Sequence, residues 1–141
     1  MELSRATQFA LRTLLDLAVS GPARTVEIAS RRGIPPAQAG KIVQQLARSG
    51  LVRTARGARG GVWLAMTPEA VTLRAVIEAM EGPLVVARCL VWADCPCEQP
   101  CPVRAALTSI QREVEQVLDA VTIADLAAGA HRPPPPSDST R

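Results

Sequence analysis

The chain has 141 residues, 48% of them hydrophobic, which is enough for one core of ordinary domain size. No segment contains the ~18 to 20 consecutive apolar residues of a membrane span, and the N-terminus lacks the apolar stretch of a signal peptide. The sequence therefore predicts a cytoplasmic protein that does not cross a membrane. The only histidine, His131, lies near the C-terminus and no nucleotide-binding glycine motif is present, which argues against an enzyme.

Charge is divided unevenly along the chain. Residues 1–66 contain ten Arg or Lys and three Asp or Glu, a net charge of +7, whereas residues 67–141 have a net charge of −4. A basic half followed by an acidic half indicates that the first half binds a polyanion and that the second half has another role.

The basic half is predicted to begin with three helices. Apolar residues at helical spacing place them over residues 4–20, 25–32 and 36–48, with Thr25 as the N-cap of the second helix. Residues 33–34 form the turn between the second and third helices. A helix, a short turn and a helix in this order are typical of a DNA-binding helix-turn-helix.

A glycine-rich loop follows this unit. Residues 51–55 and 62–66 are short apolar runs, and the residues between them include the sequence RGARGG. Two such runs around a glycine-rich loop predict a β-hairpin, and its arginines make the hairpin a basic wing. A fourth helix, capped by Thr72, is expected to end at Glu81 and Gly82. The predicted fold is mainly α with a small β-hairpin wing, a winged helix-turn-helix domain over residues 1–82.

The acidic half is predicted to contain a loop and a long helix. Residues 83–101 are broken by prolines and form a cysteine-rich loop. Pro102 opens a helix whose apolar residues are spaced 4, 3, 4, 3 and 4 apart: Val103, Leu107, Ile110, Val114, Val117 and Val121. This spacing is typical of a coiled-coil seam and predicts a homodimer. A short helix over residues 122–126 is grouped with the long one over 102–128, and residues 129–141 are predicted to be a disordered tail.

The third helix and the wing carry the candidate contacts with double-stranded DNA. The second helix of a helix-turn-helix lies in the major groove with its N-terminal residues against base edges. Arginine is favoured in a narrow minor groove, and this preference indicates a role for the wing arginines there. An ordinary polar surface is the alternative interpretation of the helix face. The predicted base-reading residues are Ala37, Gln38, Lys41 and Gln44, the wing residues are Arg56 and Arg59, and the phosphate contacts are Arg5, Thr25 and Arg53.

All four cysteines lie in one short segment, as Cys89, Cys95, Cys97 and Cys101. A secreted disulfide scaffold spreads its cysteines along the chain, so this group indicates metal binding or redox chemistry. Structural zinc sites usually contain two Cys-x-x-Cys pairs, which are absent here, and the even spacing of Cys89, Cys95 and Cys101 favours an iron-sulfur cluster. A zinc site and a set of reduced thiols remain the alternatives.

Several segments together resemble the IscR/NsrR family of iron-sulfur transcription regulators. They are LSRATQFALR at residues 3–12, GLVR at 50–53, RGARGG at 56–61, the end of the fourth helix at Glu81 and Gly82, the cysteine loop, and TIADL at 122–126. The resemblance covers residues 1 to about 128. It implies a winged-helix domain, a long dimerisation helix, and a cluster bound by three cysteines that match Cys89, Cys95 and Cys101.

The resemblance leaves the fourth cluster ligand open. Relatives similar to IscR have a histidine where this chain has Arg104, and relatives similar to NsrR use an aspartate of the partner chain where this chain has Gln8. A neutral amide is a poor iron ligand. Cys97 is the substitute that we expect, and an exogenous or partner-chain ligand is the alternative, with Cys97 then a spare thiol. The missing histidine slightly favours a 4Fe-4S cluster over a 2Fe-2S cluster.

We therefore predict a dimeric, sequence-specific transcription regulator, acting as a repressor. An iron-sulfur cluster that responds to nitric oxide, redox state or cluster supply is expected to control its affinity for DNA. The alternative is a winged-helix regulator that zinc stabilises or thiol oxidation switches, without a cluster. An electron carrier with the same cluster has no use for a basic wing.

Overall fold

The computed structural model describes residues 2–91, 95–96 and 99–129. Short 3-10 turns occur at Pro68–Ala70 and Arg88–Leu90. The helices and strands are α1 (Arg5–Ser20), α2 (Thr25–Arg32), α3 (Pro36–Arg48), β1 (Val52–Ala55), β2 (Gly61–Leu64), α4 (Leu73–Glu81), α5 (Pro102–Ala120) and α6 (Ile123–Ala127). A helical fold with one antiparallel hairpin confirms the predicted fold class. Among the residues described, no helix is long and apolar enough for a bilayer crossing.

The predicted caps of α1 and α4 are confirmed. Ser4 Oγ accepts the Thr7 N–H at 3.1 Å, and Thr72 Oγ1 accepts the Ala75 N–H at 3.1 Å. Each bond satisfies one of the amide groups that the first turn of a helix leaves without a partner. These two helices, α1 and α4, therefore begin where the local sequence predicts.

The predicted N-cap of α2 was wrong by one residue. Thr25 is the first helical residue, and Arg24 precedes it in an extended conformation without a side-chain cap. The cause lies in the wing, because the backbone of Ala23 pairs with Val62 through hydrogen bonds of 3.1 and 2.7 Å. This pairing holds the chain extended until Arg24.

One hydrophobic core joins α1, α2, α3, the hairpin and α4. The side of α3 that faces this core consists of Ala39, Ile42, Val43 and Leu46, all buried. The opposite side of α3 is exposed, as its spacing of apolar residues predicts. The core thus fixes which side of α3 is available to a partner.

The chain returns to this core after α5. Val121, predicted to continue the coiled-coil seam, instead lies beyond the end of α5 in an extended conformation and is buried. Its carbonyl accepts the Leu73 N–H at 2.9 Å, and the Ile123 N–H donates to Val71 O at 2.9 Å. Ile123, at the start of α6, is fully buried in the core. The last helix therefore packs on α1 and the core, whereas the sequence pattern had grouped it with α5. The predicted tail, except for Gly129, lies outside the described residues.

A buried carboxylate connects α1 to α2. Asp16 has no exposed side-chain area and accepts hydrogen bonds from Arg31 at 2.7 Å and from Arg32 at 2.9 Å. Burial alone would raise the pKa of Asp16, but the hydrogen bonds and charges of the two arginines outweigh it and hold this pKa below its ordinary value. The ion pairs of Asp16 with Arg31 and Arg32 therefore fix α2, the first helix of the helix-turn-helix, against α1.

Replacing Asp16 with Asn is expected to lower the free energy of unfolding at neutral pH by about 1 to 3 kcal/mol, because Arg31 and Arg32 lose a buried, charged acceptor. The lowered pKa means that the Asp16 contribution is complete at neutral pH and is lost as the pH falls below about 4. Urea unfolding followed by circular dichroism should thus show that acidification lowers the free energy of unfolding less for Asp16→Asn than for the wild type. Glu27→Gln is the control, since Glu27 is half exposed and 3.9 Å from Arg31, and it should change little. Equal unfolding free energies for wild type and Asp16→Asn would contradict this account.

Candidate DNA-binding face and cysteine loop

The four base-reading candidates lie together on the exposed side of α3. Ala37, Gln38, Lys41 and Gln44 are all exposed, and their spacing places them on one side of the helix, towards its N-terminus. Pro36 starts the helix, where a missing N–H costs little. The arrangement gives a continuous polar surface on the helix that the fold leaves open to solvent.

The wing arginines lie at or beside the tip of the hairpin. Arg56 and Arg59 are exposed in the loop between β1 and β2, and Arg53 is exposed on β1 opposite Trp63. Thr25, half-buried, lines a groove of about 220 Å³ between the start of α2 and the hairpin. Arg5 is exposed at the start of α1. The structure therefore places Thr25 next to the wing, and these five residues remain predictions as DNA contacts.

Glycines give the wing its tight shape. Gly57 has φ +97°, a conformation that side chains rarely adopt. A Cβ on Gly60 would lie 2.4 Å from Ala55 O, so no other residue fits there without moving the backbone. The spacing of these glycines in the sequence thus has a steric cause.

Arg24 is a residue of this face that sequence reasoning missed. Its guanidinium Nη2 donates to Ala58 O in the wing loop at 3.2 Å. The contact joins residues 34 positions apart, so no local pattern predicts it. An arginine directly before a helix-turn-helix was the only available signal.

Three of the four cysteines lie among the described residues. Cys89 lies in the 3-10 turn that follows α4, and Cys101 is the N-cap of α5, where its Sγ accepts the Arg104 N–H at 3.4 Å. Cys89, Cys95 and Cys101 are each half-buried. Cys97 lies outside the described residues. In the described part of the chain, no three Cys, His, Asp or Glu side chains come together as a metal-binding group.

The donor chemistry nevertheless fits a cluster or zinc. Thiolates are the ligands that both iron-sulfur clusters and structural zinc use, and the three described sulfurs are partly accessible from the surface. Gln8 is exposed, and its amide donates to Leu3 O at 3.2 Å. Among the described residues, the candidate ligands of the loop are the thiols of Cys89, Cys95 and Cys101.

The segment that leads to Cys89 is fastened to α5 by Gln111. The Val86 N–H donates to Gln111 Oε1 at 2.8 Å, and Gln111 Nε2 donates to Leu84 O at 2.7 Å. Arg74 of α4 adds ion pairs to Glu115 at 3.4 Å and Asp119 at 3.0 Å. The loop is thus held at both of its ends by the same long helix, α5. Gln111 lies next to the predicted seam, and nothing in the sequence indicated that it holds the start of the loop.

The end of α4 is held by both α1 and α3. Glu81 accepts hydrogen bonds from the Ser4 N–H at 2.6 Å and from Thr7 Oγ1 at 2.7 Å. The Thr7 hydroxyl and then the Ser4 N–H lower the pKa of Glu81 below its ordinary value. From α3, Gln45 Nε2 donates to Ala79 O at 3.2 Å and to Met80 O at 3.1 Å. The helix from which the cysteine loop departs is therefore bonded directly to the candidate recognition helix.

Comparisons with known proteins agree with this architecture. Residues 3–129 match the Rrf2 family model, described as an iron-dependent transcriptional regulator. The chain is 33% identical over 137 residues to the transcriptional repressor NsrR of Streptomyces coelicolor, a match that covers 94% of this chain and 93% of that protein.

Solved structures of two regulators are similar as well. CymR, the global cysteine regulator of Bacillus subtilis, has a TM-score of 0.75 at 28% identity, covering 93% of this chain and 99% of that one. IscR of T. potens has a TM-score of 0.72 at 25% identity, covering 93% and 89%. These matches confirm the resemblance to IscR and NsrR, and the family is not enzymatic. The chain belongs to the Rrf2 family of transcriptional regulators.

Proposed function

We propose that the protein is a dimeric, sequence-specific DNA-binding repressor whose affinity for DNA is controlled by an iron-sulfur cluster held at Cys89, Cys95 and Cys101. The name of the NsrR relative, a transcriptional repressor, supports the direction of regulation. The description of the family as iron-dependent supports the choice of metal.

One observation carries the DNA-binding part of this proposal. Residues 33–66, which form the α3 and wing surfaces, contain five basic residues and no Asp or Glu. A basic surface without carboxylates attracts phosphates, while Gln38, Lys41 and Gln44 offer donors and acceptors to base edges. Arg59 in the wing is suited to a narrow minor groove. Helix and wing together provide both positioning and base reading.

Arg59→Ala is expected to weaken binding to a specific sequence by about 1 to 3 kcal/mol at fixed salt, because a groove contact is lost. The probe is a DNA duplex that the wild type has selected from a random pool, and the measurement is a gel-shift titration. Arg112→Ala, which removes the same charge from exposed α5, is the control and should bind like the wild type. Unchanged affinity for Arg59→Ala would remove Arg59 from the site.

The dimer proposal rests on the uncovered side of α5. None of its residues is buried, and its large apolar residues Val103, Ile110 and Val117, seven residues apart, are 65%, 48% and 45% exposed. Leu107 and Val114, between them, are half-buried. Apolar residues at this spacing are usually covered by a partner helix. A second copy of α5 presents the same stripe and would complete the seam.

Replacing Ile110 and Val117 together with Glu is expected to give monomers, because the charges would be buried at the seam. Sedimentation analysis measures the mass. The matched control is Ser109→Glu with Gln116→Glu, which adds the same charges one residue earlier on exposed positions. If both double variants had the mass of the wild type, the seam would be wrongly placed.

The cysteine loop is the proposed sensor. A bound iron-sulfur cluster would supply a group that reacts with nitric oxide and oxidants and that joins separate points of the loop. Of the described residues, Cys89, Cys95 and Cys101 would hold it, with Cys97, outside the described residues, as the expected fourth ligand. Gln111 and Cys101 keep the two ends of the loop on α5, and Glu81 and Gln45 connect its start to α1 and α3. A change in the conformation of the loop would therefore be transmitted through these contacts to α3, the candidate recognition helix.

Cys89→Ala, Cys95→Ala and Cys101→Ala are each expected to abolish the cluster while leaving the protein folded, because none of the three sulfurs belongs to the core. Visible absorbance and iron and sulfide contents of anaerobically purified protein give the readout, and circular dichroism checks the fold. Cys97→Ala should behave likewise only if Cys97 is the fourth ligand. Colourless, zinc-loaded wild-type protein would favour the zinc-stabilised regulator instead.

A further inference from the structure

We propose that Arg24 binds a DNA backbone phosphate with one edge of its guanidinium while its other edge holds the wing in position. This inference rests on the proposed DNA-binding function and adds a residue to it. Arg24 lies in the extended segment between α1 and α2 and is exposed.

The wing-holding part follows from the connections of the wing loop. In the part of the chain that the structure describes, the Arg24 bond to Ala58 O is the only side-chain hydrogen bond to residues 56–60. The neighbouring Ala23 pairs with Val62 and fixes the backbone from which the Arg24 side chain extends. Arg24 therefore links the wing loop to the start of α2.

The phosphate-binding part follows from the donors and surroundings of Arg24. A guanidinium has five N–H donors in a planar fork, which suits two acceptors at once. Arg24 lines two adjacent surface grooves, of about 250 and 220 Å³, that lie between α2 and the wing. Arg59 lines the larger groove and Thr25 the smaller. Both neighbours are predicted DNA contacts, so a duplex that touches them passes over Arg24.

One carboxylate lines the larger groove. Glu27 would repel a phosphate there, and its nearest cation, Arg31 Nη1 at 3.9 Å, is also paired with Asp16. Arg24 and Arg59 together outnumber it, so the groove remains basic.

Three substitutions test the two parts of the proposal. Arg24→Lys retains the charge and a donor of nearly the same reach without the fork, whereas Arg24→Gln, whose amide ends two bonds short of Nη2, and Arg24→Ala both remove the charge and the bond to Ala58 O. Arg112→Gln on exposed α5 is the control for loss of one positive charge.

The experiment measures binding to a labelled duplex of random sequence by fluorescence anisotropy at several NaCl concentrations. The logarithm of the binding constant falls linearly with the logarithm of the salt concentration, and each phosphate contact makes this slope steeper by about 0.9. Arg24→Gln is therefore expected to reduce the slope by about 0.9 for each bound subunit. Arg24→Lys and Arg112→Gln should keep the wild-type slope. A wild-type slope for Arg24→Gln would overturn the phosphate contact.

Amide hydrogen exchange of residues 57–61 tests the wing. Arg24→Ala is expected to exchange faster than the wild type, while Arg24→Lys, which keeps a donor, exchanges like it; equal protection in all three would overturn the wing-holding role. Failure of the wild type itself to bind DNA would refute the proposed function. Wild-type binding that Arg59→Ala weakens and Arg24→Gln leaves unchanged would refute only this inference.

Discussion

The last carbonyl groups of a helix have no hydrogen-bond partner within that helix, and at the end of α4 the candidate recognition helix, α3, supplies one. Gln45 of α3 donates to both Ala79 O and Met80 O, and the next residue, Glu81, accepts from Ser4 and Thr7 of the α1 start. Two polar side chains thus fasten three helices at one point. The cysteine loop leaves the domain from this point, at Gly82.

Both ends of the loop are also fastened to a different element, α5. Gln111 of α5 binds the backbone of residues 84 and 86, and Cys101 is the N-cap of that helix. Arg74 joins α4 to the same helix, so α4 and the loop together connect the candidate recognition helix with the proposed dimer seam. Two half-sites of DNA are read at a fixed spacing, so a change in the loop that favours one arrangement of α3 and α5 would alter affinity. In the proposed mechanism, regulation acts through this connection of the loop with α3 and α5.

The parts of the fold that could be predicted from the sequence depend on local chemistry. The buried side of α3, the caps Ser4 and Thr72, and the glycine-rich wing follow from spacing and from the conformations that single residues allow. Positions set by distant partners could not be predicted in this way. Val121 leaves the seam because the strand-like pairing of residues 121–123 with 71–73 draws it into the core.

The same distinction between local patterns and distant partners applies to the candidate site. The spacing of the cysteines predicted the candidate metal ligands, and the basic residues of α3 and the wing predicted the candidate DNA-binding surface. Arg24 and Gln45 looked like ordinary polar residues, and Glu81 only marked the end of α4, because the partners of all three lie 34 to 77 positions away in the chain. These contacts join the wing to the start of α2 and the end of α4 to α1 and α3.

The most direct test of this account compares the DNA affinity of cluster-loaded and cluster-free protein, wild type against Gln45→Ala, on a duplex selected by the wild type. We expect the two wild-type forms to differ in affinity and this ratio to shrink towards one in Gln45→Ala, at unchanged cluster content and circular dichroism. Gln44→Ala, a change at the exposed neighbour of Gln45, should alter affinity in both forms and keep the ratio. A wild-type ratio in Gln45→Ala, or equal affinities of the two wild-type forms, would contradict the account.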